Sequence, residues 1–151
     1  MEWMLLPFKR YADFNGRSRR MEYWMFAVFN LIVFAVLGGI TFAGMGNLDA
    51  LMAPGSTAAP EFGPMVYLGG GLLGLYVLAT IVPNIAVVVR RLHDRDMSGW
   101  WYLGVIVAGM IPLVGILANI GFLVLMFLPG TVGPNRFGPD PKDPASVDVF
   151  S

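Results

Sequence analysis

The sequence predicts an all-α, polytopic membrane protein, and three observations carry that prediction. Residues 23–48 and 62–89 contain no Asp, Glu, Lys or Arg, and 97–135 form 39 consecutive residues without one. Eight of the ten Lys and Arg fall in two short stretches, 9–20 and 90–95. The 151-residue chain is 56% hydrophobic and only 13% charged, against about 25% charged in an average soluble domain. A charge at the bilayer centre costs roughly 2.5–3.5 kcal/mol on insertion scales, so a chain threaded through lipid segregates its charges in this way.

Taken in order, residues 1–22 form a basic N-terminal segment, 23–128 a transmembrane domain, and 129–151 a Pro/Gly-rich tail. The first 14 residues have helical amphipathicity. Met4, Phe8 and Tyr11 share a face and Glu2, Lys9 and Asp13 lie opposite, as in a segment resting at the membrane interface. Asn15-Gly16 then reads as a turn. No apolar h-region precedes the basic residues, so no cleavable signal peptide is expected and the first span acts as its own insertion signal.

Three apolar blocks follow, at about 23–43, 65–89 and 100–128. The first two suit single spans, since about 20 helical residues cross the ~30 Å hydrocarbon layer. Gly70 and Gly74 form a GxxxG pair, and Ala35, Gly39 and Ala43 a row of small residues, both suited to close helix packing. The third block is open to two readings. As one helix it would measure about 43 Å and need tilt or a kink. Alternatively Pro112 and Gly115 break it into a short re-entrant hairpin.

The 44–64 connection contains no Lys or Arg, whereas the segments on either side of the spans are basic. By the positive-inside bias, the N-terminus and the 90–95 loop face the cytoplasm and 44–64 is external. Tyr23 and Trp24, and Trp100, Trp101 and Tyr102, sit where an aromatic belt meets the cytoplasmic headgroups. Net charge is zero, but both basic clusters share one predicted side.

Four motifs occur in order: Phe14-Asn15-Gly16-Arg17-Ser18-Arg19-Arg20-Met21-Glu22-Tyr23-Trp24; Pro83-Asn84-Ile85-Ala86 before Arg90-Arg91-Leu92-His93-Asp94; Ser98-Gly99-Trp100-Trp101; and Pro129-Gly130 leading to Gly133-Pro134-Asn135-Arg136-Phe137-Gly138-Pro139-Asp140-Pro141. Together they resemble the DUF805 family of small bacterial inner-membrane proteins across nearly the whole chain. The length of the 44–64 connection departs from the family pattern. The resemblance implies a multi-pass protein of the bacterial inner membrane, and no established activity.

Chemistry-bearing residues are few. His93 and Asp94 are the one His-carboxylate neighbour pair, which would suit a proton carrier oriented by a carboxylate; a solvated loop histidine is the plainer reading. One His and no Cys leave no expected metal site and no thiolate chemistry. No nucleophile elbow or phosphate-binding glycine loop is present, and no cofactor is expected. Arg17, Arg19, Arg90 and Arg91 admit three readings: topology signals, ligands of anionic lipid headgroups, or internal partners of Glu22, Asp94 and Asp96. Glu22 opens the first span where Arg90 and Arg91 close the second, which predicts a pair between them. Asn84, after Pro83, marks either an interhelical hydrogen bond or a pathway through a broken helix. Asn135 and Arg136 belong to a segment expected to form stiff turns. Either it folds back beside the 90–95 loop, with Arg136 near Asp94 or Asp96, or it is a disordered tail.

These features point to a non-enzymatic protein with a structural or interaction role. Its expected contacts are the bilayer, anionic headgroups, and a second copy or another membrane protein, with no nucleic acid. A small oligomeric transporter or channel is the first alternative, and an enzyme acting on lipid headgroups through the His93 loop the second.

Overall fold

The computed structural model describes residues 2–46, 59 and 61–143. Five helices occur among them: α1 (Glu2–Lys9), α2 (Arg20–Ala43), α3 (Pro64–His93), α4 (Trp100–Gly109) and α5 (Val114–Phe127). Two residue pairs, β1 (Met45–Gly46) and β2 (Glu61–Phe62), make a minimal antiparallel ladder, a small correction to the all-α expectation. Most of the 44–64 connection, including Asp49 and Ser56, lies outside the described residues. α2 and α3 are long and apolar enough to cross a membrane.

The chain divides into two compact units, Met1–Ala27 with Val82–Ser151, and Val28–Ile81. In the second unit, α2 and α3 meet through a few polar contacts inside an apolar exterior. Tyr76 donates to Asn30 Oδ1 at 2.7 Å, and its ring stands edge-on to Phe34. Thr41 and Thr80 donate to carbonyls one turn earlier, Leu37 and Tyr76, both at 2.8 Å. Close approach is made by Gly69 and Gly44, not by the expected Gly70–Gly74 pair. A Cβ at Gly69 would sit 2.5 Å from Thr41 Oγ1, and one at Gly44 would strike Met65 and Val66. Gly70, Gly74 and Gly39 face open space. Motif spacing shows only that small residues share a face; helix rotation decides which face meets a partner.

The first unit holds α1, the start of α2, the end of α3, α4, α5 and the chain after them. α1 ends at Lys9, earlier than the amphipathic pattern implied, because Arg10 turns back to Asp13, at 2.9 and 2.7 Å. Tyr11 is therefore exposed, while Phe8 packs edge-on against Phe26. α3 runs unbroken through Pro83, so the broken-helix alternative does not form there. Leu92, Val88 and Met126 form a small apolar core, surrounded by Tyr23, Trp24, Tyr102 and Phe122.

The third apolar block takes the hairpin form. α4 ends at Gly109 and α5 begins at Val114. Pro112 cannot donate its missing N–H, and the Val114 N–H reaches the Pro112 carbonyl at 2.8 Å around Leu113, whose φ is +66°. Gly115 is buried beneath the turn, where a Cβ would lie 2.8 Å from the Gly109 Cα. That atom and the Gly109 and Ala108 carbonyl oxygens, 3.0 and 3.1 Å away, are all backbone and cannot swing away. Gly115→Ala should therefore cost about 1–3 kcal/mol through overpacking, read as a lower melting temperature in detergent. Leu113→Gly should be neutral or stabilising, because only the leucine is strained by the positive φ. The reverse order would mean the turn is not held as described.

Buried and exposed residues are inverted relative to a soluble protein. Among the described residues, Phe26, Ala86, Val87, Val88, Leu92 and Met126 are the buried hydrophobics. The buried polar set is larger and includes Arg17, Ser18, Glu22, Arg90, Arg91 and Asp94. Large apolar side chains such as Leu31, Phe42, Leu75, Leu78, Leu117 and Met110 are exposed along the helices. Water would penalise such a surface heavily, and hydrocarbon would not.

Candidate functional site

The last carbonyls of a helix run short of intrahelical partners; at the end of α3 the turn that follows supplies N–H groups to Arg90, Leu92 and His93, and both termini of the first unit add further donors. The Ser18 N–H donates to the Arg90 carbonyl at 3.1 Å. The Asn135 side-chain amide donates to the His93 carbonyl at 2.9 Å, and the Thr131 N–H to that of Asp94 at 2.8 Å. Segments about 40 and 75 residues away in sequence are thus tied to one helix terminus.

Two ion-paired groups are built on this frame. In one, Glu22 accepts from Arg90 at 2.7 Å and from the Ser18 hydroxyl at 2.8 Å. The same guanidinium also donates to the carbonyl of Asp13, closing the loop after α1. In the other, Asp94 accepts from Arg17 at 3.0 Å on one oxygen and from Arg91 on the other. Arg17 then donates to the carbonyls of Gly133, at 2.6 Å, and Thr131, at 2.5 Å. All five charged side chains are no more than 3% exposed. Three guanidinium groups against two carboxylates leave this buried set with one excess positive charge, spread over backbone carbonyls.

The C-terminal end of α5 receives the remaining donors. Arg91 reaches the carbonyls of Met126 and Leu128, Arg20 that of Phe127 at 3.1 Å, and Arg95 that of Pro129. Cations at this pole are also favoured by the helix dipole. Gly130 must lack a side chain, because a Cβ there would overlap the Asp94 carboxylate.

Around this cluster, Arg19 donates to the Pro141 carbonyl and lies over the Trp3 ring at 5.5 Å. Arg136 pairs with Asp96 at 3.2 Å, an exposed contact. Lys142 and Gly133 N–H groups both donate to Asp140, at 3.0 Å each. Those bonds, the Lys142 one foremost, hold its carboxyl below the ordinary value. For Asp13, burial pushes upward, but the hydrogen bonds from Arg10 and the Asn15 N–H prevail and lower it.

His93 does not pair with a carboxylate. Its Nδ1 lies 3.2 Å from the Gly16 carbonyl and donates there, and its ring stacks on Phe137 with centroids 3.9 Å apart. Asp94, its sequence neighbour, points to the two arginines instead, so the envisaged proton-carrier pair is not assembled. Glu22 takes Arg90 rather than Arg91, and Arg136 takes Asp96 rather than Asp94. Trp100 and Trp101 are exposed at the start of α4, and Trp100 lines a surface pocket with His93. Asn84 also stands apart, in a cavity with Asn119. Sequence reading missed Ser18, Thr131 and Gly130; only the Ser18–Glu22 spacing, one helical turn, offered a hint. Among the described residues no group of three or more His, Asp or Glu side chains could hold a metal ion.

The family profile for DUF805, a protein family of unknown function, matches residues 11–139, which hold nearly every residue of this cluster. The chain belongs to the DUF805 family. It is 39% identical to inner membrane protein YhaI of Escherichia coli K12 over 142 residues, covering 94% of this chain and 97% of YhaI. Its identity to inner membrane protein YhaH of the same organism is 40%, with 94% and 98% covered. A more distant relative is the E. coli protein YiiR, 29% identical with 87% of each chain covered. No solved structure matches the chain. YhaI and YhaH are inner membrane proteins by name, and the two long apolar helices of this chain fit membrane insertion.

Proposed function

We propose that this DUF805 protein is a non-enzymatic scaffold of the bacterial inner membrane. In this reading α2 and α3 span the bilayer, α4 and α5 dip in as a re-entrant hairpin, and both polar termini meet on the cytoplasmic side. Helix lengths support this reading. α2 and α3, at 24 and 30 residues, measure about 36 and 45 Å, enough to cross a ~30 Å core. α4 and α5, at 10 and 14 residues, measure about 15 and 21 Å and reach only to around its middle. The exposed tip residues Met110, Ile111 and Leu113 suit hydrocarbon.

The observation that carries the role is where the buried charges go. Glu22 and Asp94 are each consumed by arginines, and those arginines fasten the N-terminal segment, the end of α3 and the post-α5 segment together. Groups so engaged serve to build a platform at the membrane surface. A groove of about 420 Å³ beside it is walled by Trp3, by four cations (Lys9, Arg10, Arg17 and Arg19) and by two carboxylates (Glu2 and Glu22), an excess of positive charge that suits association with anionic headgroups. Catalysis at the His93 loop draws no support, since the ring and its neighbouring carboxylate are both engaged elsewhere. A pathway formed by an oligomer is favoured by one feature, the two asparagines, Asn84 and Asn119, that line one cavity, and oligomeric state in native lipid separates it from a scaffold.

Fusions test the architecture. Green fluorescent protein placed after Asp143 should be bright, and a Cys at Ser56 should react with an impermeant thiol reagent in spheroplasts. A dark C-terminal fusion together with active alkaline phosphatase at the same point would overturn the re-entrant hairpin. Labelling of Ser56→Cys only after lysis would overturn the orientation.

A further inference from the structure

A cavity of about 670 Å³ lies within the first unit, walled by α2, α3, α4 and α5. Its volume falls in the range of small-molecule pockets, and its lining has their usual make-up, mostly apolar with a few convergent polar groups. The apolar wall includes Phe26, Val87, Ile106 and Phe122; the polar groups are Tyr23, Asn84, Tyr102 and Asn119. No Asp, Glu, Lys, Arg or His lines it.

The polar groups are ordered by depth. Tyr23 and Tyr102 lie within one turn of the starts of α2 and α4. Asn84 is nine residues, about 13 Å, before the end of α3, and Asn119 eight residues, about 12 Å, before the end of α5. On the insertion proposed above, on which this step rests, the tyrosines sit at the headgroup boundary and the two asparagines near the bilayer centre. Asn119 spends one N–H on the Gly115 carbonyl at 2.8 Å, and its amide oxygen and second N–H are not used by that bond. At that depth the remaining polar groups of Asn119 are costly in bare hydrocarbon and useful against an oxygen-bearing partner. The lining residues Ile106, on α4, and Met110, just after it, are exposed, Met110 at 80%, so the cavity has an opening there, which faces lipid on the proposed insertion.

We infer that this cavity binds a neutral, lipid-soluble molecule whose head carries carbonyl or hydroxyl oxygens, held by Asn84 and Asn119. Its apolar chain leaves past Ile106 and Met110. The absence of charge in the lining excludes a phosphate head, because a buried phosphate without a cation would keep its full desolvation cost. Two membrane sources share the required chemistry, a quinone and a diacylglycerol, and both have hydrocarbon tails that would leave by the lateral opening.

The test uses purified full-length protein in detergent, titrated separately with decylubiquinone and dioctanoylglycerol and read by native mass spectrometry. At least one should form a saturable one-to-one adduct; which one does identifies the source. Asn84→Leu and Asn119→Leu should each weaken that adduct about tenfold, the loss of one hydrogen bond to the head. Trp100→Ala, outside the lining, should leave it unchanged. Because the chain has no Cys, a single Val105→Cys gives a readout independent of the asparagine variants. Bound ligand should slow its alkylation, and a Cys at Trp100 should be unaffected. Absence of a saturable adduct with both compounds would overturn the inference. So would equal binding in both asparagine variants, or equal protection of Val105→Cys by phosphatidylglycerol. None of these results depends on the fusion experiments, so failure of this site and failure of the proposed insertion are read separately.

Discussion

Asp94→Asn should be among the most damaging conservative substitutions in this chain. The carboxylate is 2% exposed and is shared by Arg17 and Arg91, whose side chains are 1% and 0% exposed. Asparagine keeps the shape and removes the charge, so two buried guanidinium groups lose their counter-ion together. Breaking a buried pair in this way costs about 3–5 kcal/mol, because the stranded charge keeps its desolvation penalty. The tethered elements should loosen as well, since Arg17 also holds Thr131 and Gly133 and Arg91 holds Leu128. A fall in the detergent melting temperature and a broadened size-exclusion profile are the expected readouts. Asp96→Asn is the natural control. Its partner Arg136 is 60% exposed, and an exposed pair contributes only about 0–1 kcal/mol. Its φ of +58° is moreover one that asparagine tolerates well. Equal losses in the two variants would refute the clasp.

The second large effect separates Arg90 from Arg91. Glu22→Gln should destabilise strongly, because Arg90 is left buried against a neutral amide. Arg90→Gln alone should do the same from the other side. Their combination should cost far less than the sum, with a coupling of about 1–3 kcal/mol for residues in direct contact. Arg91 shares no hydrogen bond with Glu22 and belongs to the Asp94 group. The Glu22→Gln, Arg91→Gln double variant should therefore be additive within about 0.5 kcal/mol. Thermal melts of the three single and two double variants in one detergent would decide it. Additivity in the Arg90 cycle would show that the two charges act independently.

The architecture was legible where the physics is additive along the chain. Each apolar residue contributes its own transfer free energy and each charge its own cost, so the uncharged stretches 62–89 and 97–135 mark helices without knowledge of any contact. The break near Pro112 was equally local, since a proline lacks a donor wherever it stands. Even there the sequence left two outcomes open, because a kink and a turn differ in the backbone angles of the few residues between α4 and α5, among them the positive φ of Leu113. The cluster was legible as a set and not as pairings. Arg17, Glu22, Arg90, Arg91 and Asp94 all stood out as charges beside apolar blocks, yet three cations and two anions can be matched in several ways.

By itself, the sequence determined that this protein has membrane-compatible helices and concentrates its cations at a few helix ends. The tertiary structure decided which of those groups touch. Glu22 meets Arg90 because helix rotation presents that residue, and Gly69 rather than Gly70 makes close approach for the same reason. His93 loses Asp94 because successive side chains on a helix diverge by about 100°, sending the ring to Gly16 and Phe137 and the carboxylate to the arginines. Asn84 and Asn119 share a cavity only because α4 and α5 fold back on each other within the same unit. Transfer energies depend on residue identity alone, while pairing depends on the rotation and register of helices far apart in sequence, which no local window contains.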